Sequence, residues 1–222
     1  MYFPTIVVDD FYNNFNEVVT YANSLEYGIQ GYSMPGVKSQ DLQFINQGLY
    51  FESVHKALSL VYGDYKRSKV RFMCQTRFER IVPYGDSYNS NGWVHYDDDN
   101  VLTGILYLDA ESSHGTTLYD RRSLTYKEII EHQPDALKEV LHSGQNPNSD
   151  DYNQSLDKWN SKFEESVVVK GKPNRLVLFD SKQWHAANGY GLPNKPRLIQ
   201  TFFFGKIEAE YFPIPEMKRT VV

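Results

Sequence analysis

The chain has 222 residues, 41% of them hydrophobic, and a net charge of −5. It can therefore bury one core of domain size, and it lacks the basic surface that general affinity for nucleic acid requires. Its single cysteine, Cys74, excludes an intrachain disulfide, and no segment approaches the length of a bilayer span or shows a basic region followed by an apolar run. The expectation is one soluble, cytoplasmic domain over residues 1–222 with no membrane partner.

After an apolar opening at 5–8, Asp9 or Asp10 is expected to cap a helix whose apolar residues Phe15, Val18, Val19, Ala22 and Leu25 recur at helical spacing. Residues 28–48 carry Gly31, Pro35 and Gly36 among polar neighbours and read as an irregular loop, whose segment 32–38 could line a substrate entrance. Helical spacing returns over 49–62, with Val54, Ala57, Leu58 and Val61 on one side. The basic group Lys66, Arg67, Lys69 and Arg71 reads as a solvated strand entry.

From Val70 the period becomes two, with Phe72, Cys74 and Phe78 on one face and Gln75, Arg77 and Glu79 on the other. Gln75 and Arg77 are possible substrate contacts, or members of a solvated sheet face. Turn residues at 84–92 deliver the chain into Gly92-Trp93-Val94-His95-Tyr96-Asp97. The apolar run 101–108 predicts a strand buried on both faces, and within it Tyr107 carries a hydroxyl that needs a partner. Residues 120–162 are polar and helix-prone, with short helices expected over 125–132 and 134–142 and the most mobile part at 144–157. This stretch reads as a helical and loop insertion. A hairpin is expected from 165–170 through a turn at 171–174 to 175–179, and an irregular tail from Glu208.

In an extended segment His95 and Asp97 fall on one face, and His185 follows a later apolar run. Two histidines and one carboxylate can occupy one face of an octahedral metal and leave three positions open. Arg197, twelve residues after His185, could return on a strand beside that pocket, where its planar fork suits a carboxylate. The remaining histidines have no comparable spacing. Many short strands preceded by two helices give an α+β class built on a β-sandwich or barrel.

The order His95/Asp97, Tyr107-Leu108-Asp109, Gly115-Thr116-Thr117, His185 and Arg197 resembles the Fe(II)/2-oxoglutarate-dependent dioxygenases, in particular their prolyl-hydroxylase-like branch, over about residues 70–205. The resemblance implies a double-stranded β-helix, the cupin-like jelly roll, with N-terminal packing helices. It implies Fe(II) held by His95, Asp97 and His185, 2-oxoglutarate as cosubstrate with its distal carboxylate on Arg197, and O2 as oxidant. The implied reaction is hydroxylation of a carbon in an amino-acid, peptide or small-molecule substrate, with release of succinate and CO2. Many relatives carry a serine two residues after the arginine, where this chain has Ile199. Thr201, Tyr107 and Tyr88 are the candidate replacements. The alternative is a jelly-roll protein that binds metal for stability or recognition without redox activity.

Overall fold

The computed structural model describes residues 3–30, 35–63, 69–109, 114–121, 148–191 and 195–210. Its larger sheet is antiparallel, with seven strands in the order β1-β8-β5-β10-β4-β3-β2. These are β1 (Ile6–Val8), β2 (Ile29–Gln30), β3 (Val37–Lys38), β4 (Arg71–Ile81), β5 (Leu102–Tyr107), β8 (Arg175–Asp180) and β10 (Arg197–Glu208). A smaller sheet is ordered β7-β6-β9, from β6 (Thr116–Arg121), β7 (Phe163–Val169) and β9 (Trp184–Ala187). Residues 92–97 extend that sheet beyond β9. His95 and His185 exchange both backbone bonds, and Gly92 and Asp97 donate to the carbonyls of Ala187 and Ser181.

Strand β5 is buried on both faces, as the apolar run 101–108 suggests. Helix α1 (Phe15–Ser24) and helix α3 (Gln47–Tyr62) turn Val18, Ala22, Val54, Ala57, Leu58 and Val61 onto the outer face of the large sheet. There they meet Cys74, Phe78, Leu102, Leu178, Phe202 and Phe204. Each large apolar side chain removed from water contributes about 1.5–3 kcal/mol, so this layer anchors the sheet. The inner face, with Ile81, Tyr107, Val177, Phe179 and Ile199, packs on Leu118 and Val169 of the small sheet. Two facing antiparallel sheets with helices on one outer face make an α+β, jelly-roll-type fold.

Several expectations are corrected. Neither Asp9 nor Asp10 caps α1, whose N-cap is Asn14. Asp9 instead receives Arg175 through two bonds of 2.6 and 3.0 Å and Lys172 at 2.8 Å, which clamps the start of the chain beside β8. The loop 28–48 contains β2, β3 and a short helix α2 (Leu42–Ile45) capped by Asp41; residues 32–34 lie outside the described residues. The hairpin over 165–179 does not form. β7 pairs with β6, whereas β8 pairs with β1 and β5, so the turn between them carries the chain from one sheet to the other. Asn174 in that turn has φ of 63° and exchanges side-chain hydrogen bonds with the backbone of Tyr12.

Residues 122–147, including the two short helices expected there, lie outside the described residues. The stretch from 148 is not loose. Helix α4 (Ser149–Asn160) starts at Asn148, whose side chain accepts from the Asp150 N–H, and buries Tyr152, Leu156 and Trp159 on one side. A spacing of four then three places these on one helical face, although Asn, Asp, Ser and Gln dominate the stretch. The tail beyond 210 is outside the described residues. Among the described residues, no helix is long and apolar enough to cross a membrane.

Candidate metal and oxoacid site

Three elements supply the site's polar groups. The extended segment 92–97 provides His95 and Asp97, β9 provides His185, and the start of β10 provides Arg197. Because His95 and His185 are opposite each other in an antiparallel bridge, their rings lie side by side with centroids 4.4 Å apart. Asp97 lies two residues on, on the same side. Its Oδ1 is 3.9 Å from His95 Nε2 and its Oδ2 is 3.7 Å from His185 Nε2. All three ligand atoms fall within 4.8 Å of one another.

The backbone fixes which ring nitrogens face inward. His95 Nδ1 lies 2.8 Å from the carbonyl of Trp93, and His185 Nδ1 lies 2.9 Å from that of Gln183. A carbonyl can only accept, so each Nδ1 carries the proton and each Nε2 presents a lone pair to the shared centre. Thr103 Oγ1 donates to Asp97 Oδ2 at 2.7 Å and lies 2.8 Å from Ser181 Oγ. This orients the carboxylate. Two neutral imidazole donors and one ionised carboxylate fit a divalent transition metal.

Behind the segment stands α4. Trp159 Nε1 donates to the Val94 carbonyl at 2.7 Å, Asn160 Oδ1 accepts from the Val94 N–H at 2.9 Å, and Asn160 Nδ2 donates to the Gly92 carbonyl at 3.0 Å. Trp93 Nε1 donates to the Tyr152 hydroxyl at 3.0 Å. The backbone edge of the His95 segment that β9 does not use is thus satisfied by side chains of one helix.

His95, Asp97 and His185 open onto a cavity of about 150 Å³ whose walls include Ile81, Trp93, Ile105, Ala186, Ile199 and Phe203. Arg197 lines it as well, 2% exposed. Its Nη1 donates to the Gly189 carbonyl at 2.9 Å, its guanidinium carbon lies 5.2 Å from the centre of the Tyr107 ring, and its buried Nε has no hydrogen-bond partner among the described residues. Among the described residues no carboxylate lies within ion-pair distance of it. Burial draws its pKa down, while Tyr107, Tyr190, Asp109 and Glu79 pull the other way; arginine nevertheless keeps its charge in proteins. Burying a cation is costly unless it is paired, so a guanidinium in this cavity suits an anionic ligand.

Residues 3–190 match the family model described as "Family of unknown function (DUF6445)". The chain belongs to that family. No curated protein sequence matches it. Among solved structures it is similar to the epimerase SnoN of nogalamycin biosynthesis, in complex with Fe3+, alpha ketoglutarate and nogalamycin RO, at 12% identity and a TM-score of 0.54, over 96% of this chain and 83% of that one. It is also similar to EvdO2 from Micromonospora carbonacea var. aurantiaca complexed with 2-oxoglutarate, at 10% identity and a TM-score of 0.50, over 92% and 87% of the two chains. HygX from Streptomyces hygroscopicus, with nickel, 2-oxoglutarate and hygromycin B bound, matches at 10% identity and a TM-score of 0.50 over 90% and 82%. At such identities the likeness is one of fold.

The other residues singled out in the sequence separate. Thr201 lines the cavity, but its hydroxyl donates to Glu79 Oε1 at 3.1 Å. Tyr107 is fully buried and donates to Thr116 Oγ1 at 2.7 Å. Tyr88 packs edge-on against Tyr84 and Tyr152, with centroids 6.2 and 5.4 Å away, and does not line the cavity. Gln75 and Arg77 bond each other at 3.1 Å and also stay outside it. Asp98 turns outward to Lys182 at 2.7 Å.

The sequence alone singles out none of Thr103, Ser181 or Tyr190, and it gives Lys38 and Glu79 only a place on a candidate entrance segment and on a polar strand face. Glu79 is 1% exposed, faces the cavity and pairs with Lys38 at 3.3 Å. A hydroxyl inside the apolar run 101–108 was a visible hint for Thr103, and Lys38, which lines the cavity, ends the segment 32–38 expected at a substrate entrance; Ser181 and Tyr190 gave no hint.

Proposed function

We propose that the protein is an Fe(II)- and 2-oxoglutarate-dependent dioxygenase of the prolyl-hydroxylase-like branch, hydroxylating a carbon of an amino-acid, peptide or other small-molecule substrate. The observation that carries this reading is Arg197, a buried guanidinium with no ion pair among the described residues, in the same cavity as a His-Asp-His cluster. A protein that kept a metal for stability alone would gain nothing from that charge. The fold's likeness to enzymes crystallised with 2-oxoglutarate supports the same choice of anion.

In this reading His95 Nε2, a carboxylate oxygen of Asp97 and His185 Nε2 hold the iron, and Arg197 takes the distal carboxylate of the cosubstrate in a charge-assisted, fork-shaped contact. Bound iron, 2-oxoglutarate and O2 together supply an oxidant for a C–H bond, leaving succinate and CO2 as co-products. The chain's own work is positional. Thr103 holds Asp97 in one orientation, and the carbonyls of Trp93 and Gln183 hold the imidazole tautomers. The His95, Asp97 and His185 ligand group and the Arg197 guanidinium would hold a dicarboxylate from its two ends. The apolar walls at Ile81, Ile105, Ile199 and Phe203 keep water from the reacting carbon.

Anaerobic addition of Fe(II) and then 2-oxoglutarate tests this reading directly. A visible charge-transfer band from the metal-oxoacid chelate, and succinate formation once air is admitted, are expected. Metal binding without either would favour the binding-protein alternative.

A further inference from the structure

Two charged side chains line the metal cavity without a part in the reading above, Lys38 and Glu79. Lys38 closes β3, lies opposite Glu79 on β4, and Glu79 in turn lies opposite Ile199 on β10. Residues directly opposite in an antiparallel sheet share a face. The register therefore sets Lys38, Glu79 and Ile199 in one row on the cavity side of the large sheet, to one side of the strand that carries Arg197.

Among the described residues both partners of Glu79, the Thr201 hydroxyl at 3.1 Å and Lys38 Nζ at 3.3 Å, meet a single oxygen, Oε1. The second oxygen, Oε2, is left for a ligand in the cavity. An ammonium carries three donors, so Lys38 keeps N–H groups beyond the one that faces Glu79. Its side chain is 17% exposed and also lines a groove of about 650 Å³ with Glu26, Tyr27 and Gln40. Lys38 thus borders both spaces. A buried ion pair returns little net stability, and apolar replacements of similar volume are often as stable or more so. Holding β3 to β4 is therefore a poor account of opposite charges in a wall otherwise made largely of Ile, Trp, Ala and Phe.

Charge narrows the ligand. In the dioxygenase reading the charges of Fe(II) and Arg197 cancel those of Asp97 and of doubly ionised 2-oxoglutarate, and Lys38 and Glu79 cancel each other. A substrate of net charge would bury that charge unmatched, whereas one that carries both signs meets Glu79 with its cation and Lys38 with its anion. The two protein charges stand in contact, at 3.3 Å, which suits a molecule whose ammonium and carboxylate branch from one carbon.

We propose that the Lys38–Glu79 pair is the substrate handle of this site and that the substrate is a free α-amino acid, its ammonium on Glu79 Oε2 and its carboxylate on Lys38. The proposal rests on the dioxygenase reading and narrows its substrates to one class. A residue inside a peptide chain carries neither charge and gives the pair nothing to hold.

The test is calorimetry of the protein loaded anaerobically with Mn(II) and 2-oxoglutarate, titrated with each common L-amino acid and, for those that bind, with the N-acetyl and the carboxamide derivative. At least one free amino acid should bind, and blocking either its ammonium or its carboxylate should weaken it by roughly ten-fold to a hundred-fold, the range for one hydrogen bond to a charged group. This comparison uses the parent alone and stands whether or not a variant folds. Glu79→Gln, which keeps an acceptor for Thr201 and Lys38, should weaken the free amino acid by a similar factor and the N-acetyl derivative hardly at all, while it still takes up 2-oxoglutarate. The proposal is overturned if no free amino acid binds the loaded protein, if the blocked derivatives bind as well as the free ones, or if Glu79→Gln leaves the free form unchanged or weakens free and N-acetylated forms equally. A parent protein that binds no 2-oxoglutarate would instead remove the dioxygenase reading itself.

Discussion

The indole N–H of Trp159 donates to the carbonyl of Val94, 2.7 Å away, across 65 residues of sequence. The bond ties helix α4 to the residue preceding His95 and makes the last part of a polar stretch a structural support of the candidate metal site.

Trp159→Phe keeps most of the apolar volume and removes that donor. A buried carbonyl left unpaired should cost about 1–3 kcal/mol of stability. Because the carbonyl of Val94, next to His95, loses its tie to α4, metal affinity should fall by about ten-fold. Urea unfolding and Mn(II) titration measure the two effects, and a variant with parental metal affinity would show that α4 does not position the segment.

Thr103→Val is isosteric and leaves Asp97 without its hydroxyl donor. Metal affinity should drop by roughly ten-fold, with the fold intact because Val suits a buried strand. Unchanged Mn(II) affinity would mean that Asp97 is oriented by other contacts.

Lys38 and Glu79 form an ion pair in which the carboxylate is 1% exposed. Lys38→Met should destabilise by about 3 kcal/mol, since it strands a buried charge. Adding Glu79→Gln, which still accepts from Thr201, should restore much of that loss. Additive effects in the double variant, read by chemical denaturation, would contradict the pairing.

Arg175 and Lys172 hold the Asp9 carboxyl well below the usual carboxylate range. A carboxyl whose folded pKa lies beneath its unfolded value of about 4 contributes fully above that value and loses its contribution on acidification. The stability difference between the parent and Asp9→Asn should therefore be constant near neutrality and shrink below about pH 4. A difference that grows on acidification would reverse the assignment.

Local pattern carries some of this architecture and long-range pairing carries the rest. The meeting of His95, Asp97 and His185 is legible because period-two geometry puts the first two on one face and an apolar strand delivers the third. The fate of β7 and β8 is not, since a short turn serves equally to close a hairpin or to cross between facing sheets. Helix α4 is obscured because three buried residues decide its place while polar neighbours dominate its composition. Lys38 and Glu79 acquire their pairing only from the fold, which sets against each other an ammonium and a carboxylate 41 residues apart.

The most direct measurement is anaerobic titration calorimetry of the Mn(II)-loaded protein with 2-oxoglutarate, comparing the parent with Arg197→Ala. A buried carboxylate deprived of its guanidinium should lose about 2–4 kcal/mol of binding, a weakening of roughly thirty-fold to a thousand-fold, while Mn(II) affinity stays the same. Arg197→Lys should lose less, because the charge survives and only the fork is lost. A parent that shows no binding at millimolar 2-oxoglutarate, or an Arg197→Ala variant that binds it equally well, would contradict the dioxygenase account.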